Sequence, residues 1–244
     1  IYTPAIPTNH KELNHFRDNG YTVLKRSEVL GEISKTKTCL AVAGTHGKTT
    51  VSSMLAHLMN QTEKGCNAFL GGILKNYQTN VLINAKSNLM VAEADEFDRS
   101  FLNLHPNMAV ITSMDADHLD VYTNEKSIRK AFEEFIGRLP DDGTLLYHSG
   151  LPLRPEAIKD VQSYTYSLHA EADFYPINLE ISEGKYRFDL VTPKETIHGF
   201  SMPQPGLVNV ENAVAALSMA YLQGLSKEDL YKNMPSFQGI ERRF

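Results

Sequence analysis

Apolar positions along the chain follow two rhythms. In the first, short unbroken apolar runs alternate with stretches of helical spacing. Residues 38–43, 89–92 and 108–112 are runs of strand length with little alternation, as expected of strands buried on both faces. Residues 68–70 form another such run, closed by a turn at Gly71-Gly72. Between them, 49–60 carries Val51, Leu55, Leu58 and Met59 at helical spacing. Residues 124–139 place Ile128, Ala131, Phe132 and Phe135 on one helical face. Strand alternating with helix predicts a mainly parallel sheet covered on both faces.

The second rhythm begins after Asp141-Asp142-Gly143. Residues 143–147, 161–166, 173–181, 185–191 and 196–201 are short strand-like runs separated by turn residues. Glu183-Gly184 reads as a hairpin turn. These runs predict a small antiparallel addition to the same domain. Helical spacing returns at 210–222 and 227–233. Ahead of all this, residues 1–37 read as a helix at 11–19 closed by Gly20, a strand at 21–24, and a helix at 27–34 with Ser27 as N-cap. That segment is too small to bury a core of its own. It reads as the tail of an α/β domain whose front is absent, followed by a complete domain at 38–235 and a linker at 236–244. The abrupt ends, Ile1 without a methionine and Phe244 without a tail, predict a fragment of a longer protein.

Composition narrows the function classes. With 244 residues, 42% hydrophobic and 22% charged, the chain has the makeup of a folded globular protein. Twenty-four basic against 29 acidic residues leave a net charge of −5, without the basic excess of a general nucleic-acid binder. No apolar run approaches membrane-spanning length. Cys39 and Cys66 cannot build a disulfide framework. Cys39 lies in an apolar run and reads as a buried thiol of a cytoplasmic protein.

Chemistry gathers at three strand ends. The first reads Gly44-Thr45-His46-Gly47-Lys48-Thr49-Thr50 between a strand and a helix. A glycine turn there lets backbone N–H groups and a helix N-terminus converge on a phosphate. Lys48 would reach the outer phosphates and the Thr49 hydroxyl a Mg²⁺ ion. The strict pattern G-x4-G-K-[ST] wants glycine at 42, where this chain has Val42. The second strand end carries Glu93, Asp95, Glu96 and Asp98. On spacing these acids suit either a cation or a solvated loop with a capping aspartate. The third carries Asp115, Asp117, His118 and Asp120. Asp115 or Asp117 reads as a cation-holding carboxylate or a helix cap. His118 by itself reads as structural, because magnesium prefers oxygen. Three strand ends meeting in one crevice predict an ATP- or GTP-dependent enzyme, with hydrolase, kinase and ligase all open.

These residues resemble the Mur ligase family, whose loop reads G-T-x-G-K-T-[ST]. The likeness extends through Glu93-Ala94-Asp95-Glu96, Asp115-Ala116-Asp117-His118-Leu119-Asp120, residues 206–213 and residues 237–244. It is strongest to members that join L-alanine to the carboxylate of UDP-N-acetylmuramate in bacterial peptidoglycan synthesis. The resemblance implies a Rossmann-like domain for the UDP-sugar, a central ATPase and a C-terminal domain for the amino acid. It makes Gly44 to Thr50 the ATP loop, with Lys48 on the γ-phosphoryl group. Thr49 and Glu93 become ligands of Mg²⁺ (or Mn²⁺), and His118 the ligand of a second metal. Lys48, Glu93 and His118 are then the catalytic set, and Asn209 and Asn212 lie by the adenine. Val208 stands where the family usually has histidine. Glu133 or Glu134 would stand in for the carbamylated lysine of related ligases, with Lys126 and Lys130 as surface residues. Thr3 to Ile6 and Phe69 to Ile73 would border the sugar site, and Arg242 and Arg243 a hinge or the ATP side. The recycling ligase that attaches a tripeptide to the same sugar nucleotide, and a nucleotide-binding module without catalysis, are the alternatives. No nucleic acid or membrane partner is expected.

Overall fold

A computed structural model describes residues 1–3, 5–115 and 125–241, with the Glu125 side chain left aside. Among these residues, seven strands form one sheet in the order β3-β2-β4-β1-β5-β6-β7. They are β1 (Thr38–Ala43), β2 (Asn67–Leu74), β3 (Thr79–Leu82), β4 (Leu89–Ala94), β5 (Met108–Ile111), β6 (Thr144–His148) and β7 (Gln162–Tyr166). Every pairing is parallel except β2 with β3.

The central strands are buried on both sides, and their alternation sorts side chains between two cores. Leu40, Val42, Val91 and Val110 face one core; Ala41, Ala43, Ala92 and Ile111 face the other. The first core is filled by α3 (Lys48–Asn60) and α5 (Leu207–Leu222). Residues 212–220 of α5 are buried without a break, so this helix has no solvent face along its middle. The second core is closed by α4 (Glu125–Ile136) and the 3-10 segment Phe97–Asn103, where Phe101 stacks on Phe135. Truncating Phe101 to alanine would cost about 3–5 kcal/mol by cavity formation. Both thiols are buried, which pushes Cys39 and Cys66 up to about 12.

The antiparallel addition is smaller than the sequence pattern predicts. Residues 144–148 and 162–166 extend the parallel sheet, and only β8 (Tyr175–Ser182), β9 (Lys185–Val191) and β10 (Thr196–Met202) form the separate three-stranded sheet. Short strand-like runs are ambiguous because parallel and antiparallel partners demand the same local sequence. Glu183 and Gly184 both have positive φ, as the hairpin turn requires. Asp189 ties down the bulges on either side of β9, accepting from Asn178, His198 and the Gly199 N–H.

Three local expectations change. Residues 21–24 form no strand; a single parallel bridge joins Tyr2 to Lys25. Helix α2 (Arg26–Ser34) starts one residue earlier than expected, with Lys25 at the N-cap and Glu28 closing a capping box onto its N–H. Ser27 instead accepts from the Asn103 amide. Gly71-Gly72 is not a turn: both lie inside β2. Helix α1 is Lys11–Asp18, and α6 is Lys227–Asn233.

Buried His57 ties α3 to the segment that follows α6. His57, on α3, meets the Tyr77 hydroxyl at 2.9 Å and the Ser236 hydroxyl at 2.8 Å, and its ring packs on Phe237. Burial holds its pKa below the usual value, with the Asn233 carbonyl opposing. The unfolded chain takes up this proton near pH 6.5, while the folded chain resists it. Stability from this site is therefore complete above about pH 6.5 and is lost as pH falls below it. In chemical denaturation from pH 7.5 to 5, wild type should lose more stability than His57→Gln; equal slopes would refute the assignment.

Candidate functional site

The C-terminal ends of β4, β1 and β5 lie side by side because β1 pairs with both neighbours. Ala43 is opposite Ala94 on one side and Ile111 on the other. The chain leaves β1 at Gly44 and enters α3 at Lys48, with Gly47 as a left-handed N-cap. Val42 is still inside the strand, opposite Glu93 and Val110. A glycine is therefore not needed at 42: the loop is only residues 44–47. The first N–H groups of α3 lack intrahelical acceptors and face the position an anion would take.

The loop is clamped to the segment that follows β5. Thr45 N donates to the Ser113 carbonyl at 3.2 Å, and His46 N donates to Ser113 Oγ at 2.7 Å. Asp115 N donates to Thr45 Oγ1 at 3.0 Å, and the Asp115 carboxylate lies 3.6 Å from His46 Nε2. Gly44 has φ +139°, and a Cβ there would stand 2.0 Å from Thr112 Oγ1. Only glycine lets the loop approach β5 this closely.

The other side of the loop is acidic. Thr49 Oγ1 donates to Glu93 Oε1 at 2.9 Å, and Gly71 N donates to Glu93 Oε2 at 2.8 Å. A Cβ on Gly71 would stand 2.6 Å from both carboxylate oxygens, so this glycine makes room for Glu93. Lys48 Nζ donates to Glu96 Oε1 at 3.0 Å and lies 2.8 Å from Oε2. The Glu96 side chain is fully buried. Thr49 and Glu93 thus place two hard oxygen donors together beside the loop. That set suits Mg²⁺, which takes one or two carboxylates and fills its remaining positions with phosphate and water. Among the described residues no group of three or more His, Cys, Asp or Glu side chains forms a metal cage.

Of the sequence-predicted site residues, the structure brings together Gly44, Thr45, His46, Gly47, Lys48, Thr49, Thr50 and Glu93. Asn212 joins them: its Oδ1 is 2.8 Å from where a Cβ on Gly47 would stand. Asn209, one turn earlier on α5, is buried and donates to the Pro205 carbonyl at 2.7 Å. Asp117, His118, Arg242 and Arg243 lie outside the described residues. Glu133 and Glu134 are engaged on the helix surface, paired with Arg129 and Arg99. Ser113 is an addition; Gly71, expected in the run bordering the sugar site, meets Glu93 as well, and Glu96 meets Lys48. Glu96 was visible within the acidic block. The contacts of Gly71 and Ser113 span 22 and 67 residues and leave no local signal.

Two cavities meet at the carboxylates. One, of about 350 Å³, is lined by residues 45–49 with Glu93 and Asp95. The other, of about 340 Å³, is lined by Glu93 and Asp95 together with Thr3, Ala5, Arg26 and Phe97. An adjoining cavity of about 250 Å³ adds Phe69, Leu70 and Gly71.

Residues 42–220 match the model of the Mur ligase middle domain. The chain belongs to the Mur ligase family. It is 51% identical over 244 residues to the UDP-N-acetylmuramate–L-alanine ligase of Parabacteroides distasonis, covering all of this chain and 53% of that protein. It is 48% identical over 245 residues to the same-named ligase of Porphyromonas gingivalis, of which 54% is covered. The chain thus spans about half the length of the curated relatives it matches. In fold it is similar to the UDP-N-acetylmuramate–alanine ligase of Thermotoga maritima, with TM-score 0.85, 24% identity, and coverage of 99% of this chain and 55% of that one. It is also similar to the UDP-N-acetylmuramate:L-alanyl-γ-D-glutamyl-meso-diaminopimelate ligase of Neisseria meningitidis, with TM-score 0.84, 20% identity, and coverage of 98% and 78%.

The cradle around Glu93 yields a double-mutant test. Gly71→Ala should cost about 1–3 kcal/mol by overpacking, read by denaturant unfolding. Adding Glu93→Ala should recover much of that loss, because the clashing oxygens are gone; strictly additive effects would refute the contact.

Proposed function

We propose that this chain is the ATP-handling part of a bacterial ligase that joins L-alanine to the carboxylate of UDP-N-acetylmuramate. The observation that carries the reaction class is the pairing of Thr49 Oγ1 with Glu93 Oε1 beside a glycine loop and Lys48. The names of the curated relatives support the substrates. In this reading residues 1–37 are the end of the sugar-nucleotide domain, 38–235 the ATPase, and 236–244 the link to an amino-acid domain. Cytoplasmic placement follows from where such a precursor would be made. Among the described residues no helix is long and apolar enough to cross a membrane.

The two cavities suggest how the reactants meet. ATP would enter the 45–49 side, with its phosphates over the α3 N-terminus and Lys48 neutralising charge on the γ-phosphoryl group. A Mur ligase of Thermotoga maritima has been solved with ADP. The acceptor carboxylate would arrive from the cavity lined by Thr3, Ala5 and Arg26, on the far side of Glu93. One carboxylate oxygen takes the γ-phosphoryl group, leaving ADP and an acyl phosphate. The L-alanine amine then attacks the acyl carbon, loses a proton, and phosphate departs to leave the amide. Thr49 and Glu93 would hold Mg²⁺, which offsets phosphate charge when bound, and His118 a second metal. Asn212 and Asn209 would border the adenine. Holding the reactants in register, rather than covalent participation by the protein, supplies the rate.

In the full-length protein, Glu93→Ala should lower phosphate release by at least about a hundredfold with ATP, UDP-N-acetylmuramate and L-alanine, the scale of losing a key electrostatic group. Release by wild type only when the tripeptide replaces L-alanine would favour the recycling ligase. A loss of affinity in Glu93→Ala with unchanged turnover would favour a binding module. The 244 residues by themselves should bind Mg-ATP but ligate poorly; robust ligation would contradict the division of labour.

A further inference from the structure

We propose that Glu96 is a positioning residue: it holds the Lys48 ammonium at the mouth of the loop and competes with nucleotide phosphate for it. The proposal rests on reading residues 44–50 as a phosphate loop. Lys48 touches both oxygens of the Glu96 carboxylate, at 3.0 and 2.8 Å, and keeps only 13% of its side chain exposed. A flexible ammonium on a four-carbon stem has no intrinsic reason to wait at that spot. A fully buried carboxylate gives it one, because opposite charges held away from water attract strongly.

The backbone around Glu96 is fixed independently of Lys48. Phe101 N donates to the Asp95 carbonyl at 2.9 Å and Arg99 N to the Glu96 carbonyl at 3.0 Å. Asp98 and Arg99 have φ of +53°, a conformation that L residues adopt at a cost. Two ion pairs from other elements hold this strained turn: Lys25 with Asp98 at 3.1 Å, and Glu134 of α4 with Arg99 at 2.6 Å. In this proposal Glu96 stays with the turn when a phosphate arrives. Lys48 must serve both anions, or leave Glu96 partly uncompensated. Either way Glu96 lowers the affinity of the loop for nucleotide and keeps its lysine aligned.

Two measurements on the full-length protein test this. Without ligand, Lys48→Met should lower the Tm by several degrees by taking the ammonium from a buried carboxylate, and Lys48→Met/Glu96→Gln should recover most of the loss. Additive effects would overturn the clamp, and this readout needs no nucleotide. With Mg-ATP in calorimetry, Glu96→Gln should bind several-fold more tightly than wild type, with a steeper salt dependence, while the kcat for ligation falls. If wild type binds Mg-ATP and Glu96→Gln binds equally or more weakly, the competition is wrong and the loop reading stands. If wild type binds no Mg-ATP, the loop reading itself fails. A purely structural Glu96 would weaken binding and lower Tm together, and would give no recovery in the double variant.

Discussion

The double pairing of β1 is the constraint on which the rest depends. Because it lies hydrogen-bonded between β4 and β5, the three strands end at one level, and whatever follows each of them is delivered to one crevice. Parallel pairing makes this possible: all three C-terminal ends point the same way, and connecting helices return the chain on the faces of the sheet. The Gly44–Gly47 loop, the acidic segment with Glu93 and Glu96, and the Thr112–Asp115 segment are each the continuation of a strand. None of them could reach the others if β1 were an edge.

Opposed charges are resolved at close quarters within that crevice. On the proposed reading the loop needs a cation for phosphate, and a divalent ion needs carboxylates. Here each carboxylate is given a separate partner. Glu93 takes a hydroxyl and a backbone N–H. Glu96 takes Lys48 directly. The packing that permits this is glycine: Gly71 admits the Glu93 carboxylate and Gly44 admits Thr112. Asn212 packs against Gly47, so helix α5 lines the loop as well as the core.

Much of the site was legible because its parts are contiguous in sequence. The run from Gly44 to Thr50 carries its own turn and helix start, and the acids after β4 follow an unmistakable buried strand. The departures have one cause. A glycine pair predicts a turn at Gly71-Gly72, whereas Gly71 here receives a side chain 22 residues away. The runs 143–147 and 161–166 group with the antiparallel strands on local pattern, which cannot report the direction of a partner, whereas their strands extend the parallel sheet. Ser27 was read as a cap, but the capping contact belongs to Lys25 and Glu28.

Local sequence carries the alternation of strands and helices, the glycine loop with its lysine and threonine, the acidic block, and the resemblance to the family. These are properties of neighbouring residues, set by periodicity, turn chemistry and helix-start signals. Tertiary structure alone decided which acid faces Lys48, which glycine makes room for Glu93, and which short strands join the main sheet. It also set His57 against Ser236, 179 residues later. Those choices are made by packing across the sheet, where distance in space has no counterpart in distance along the chain.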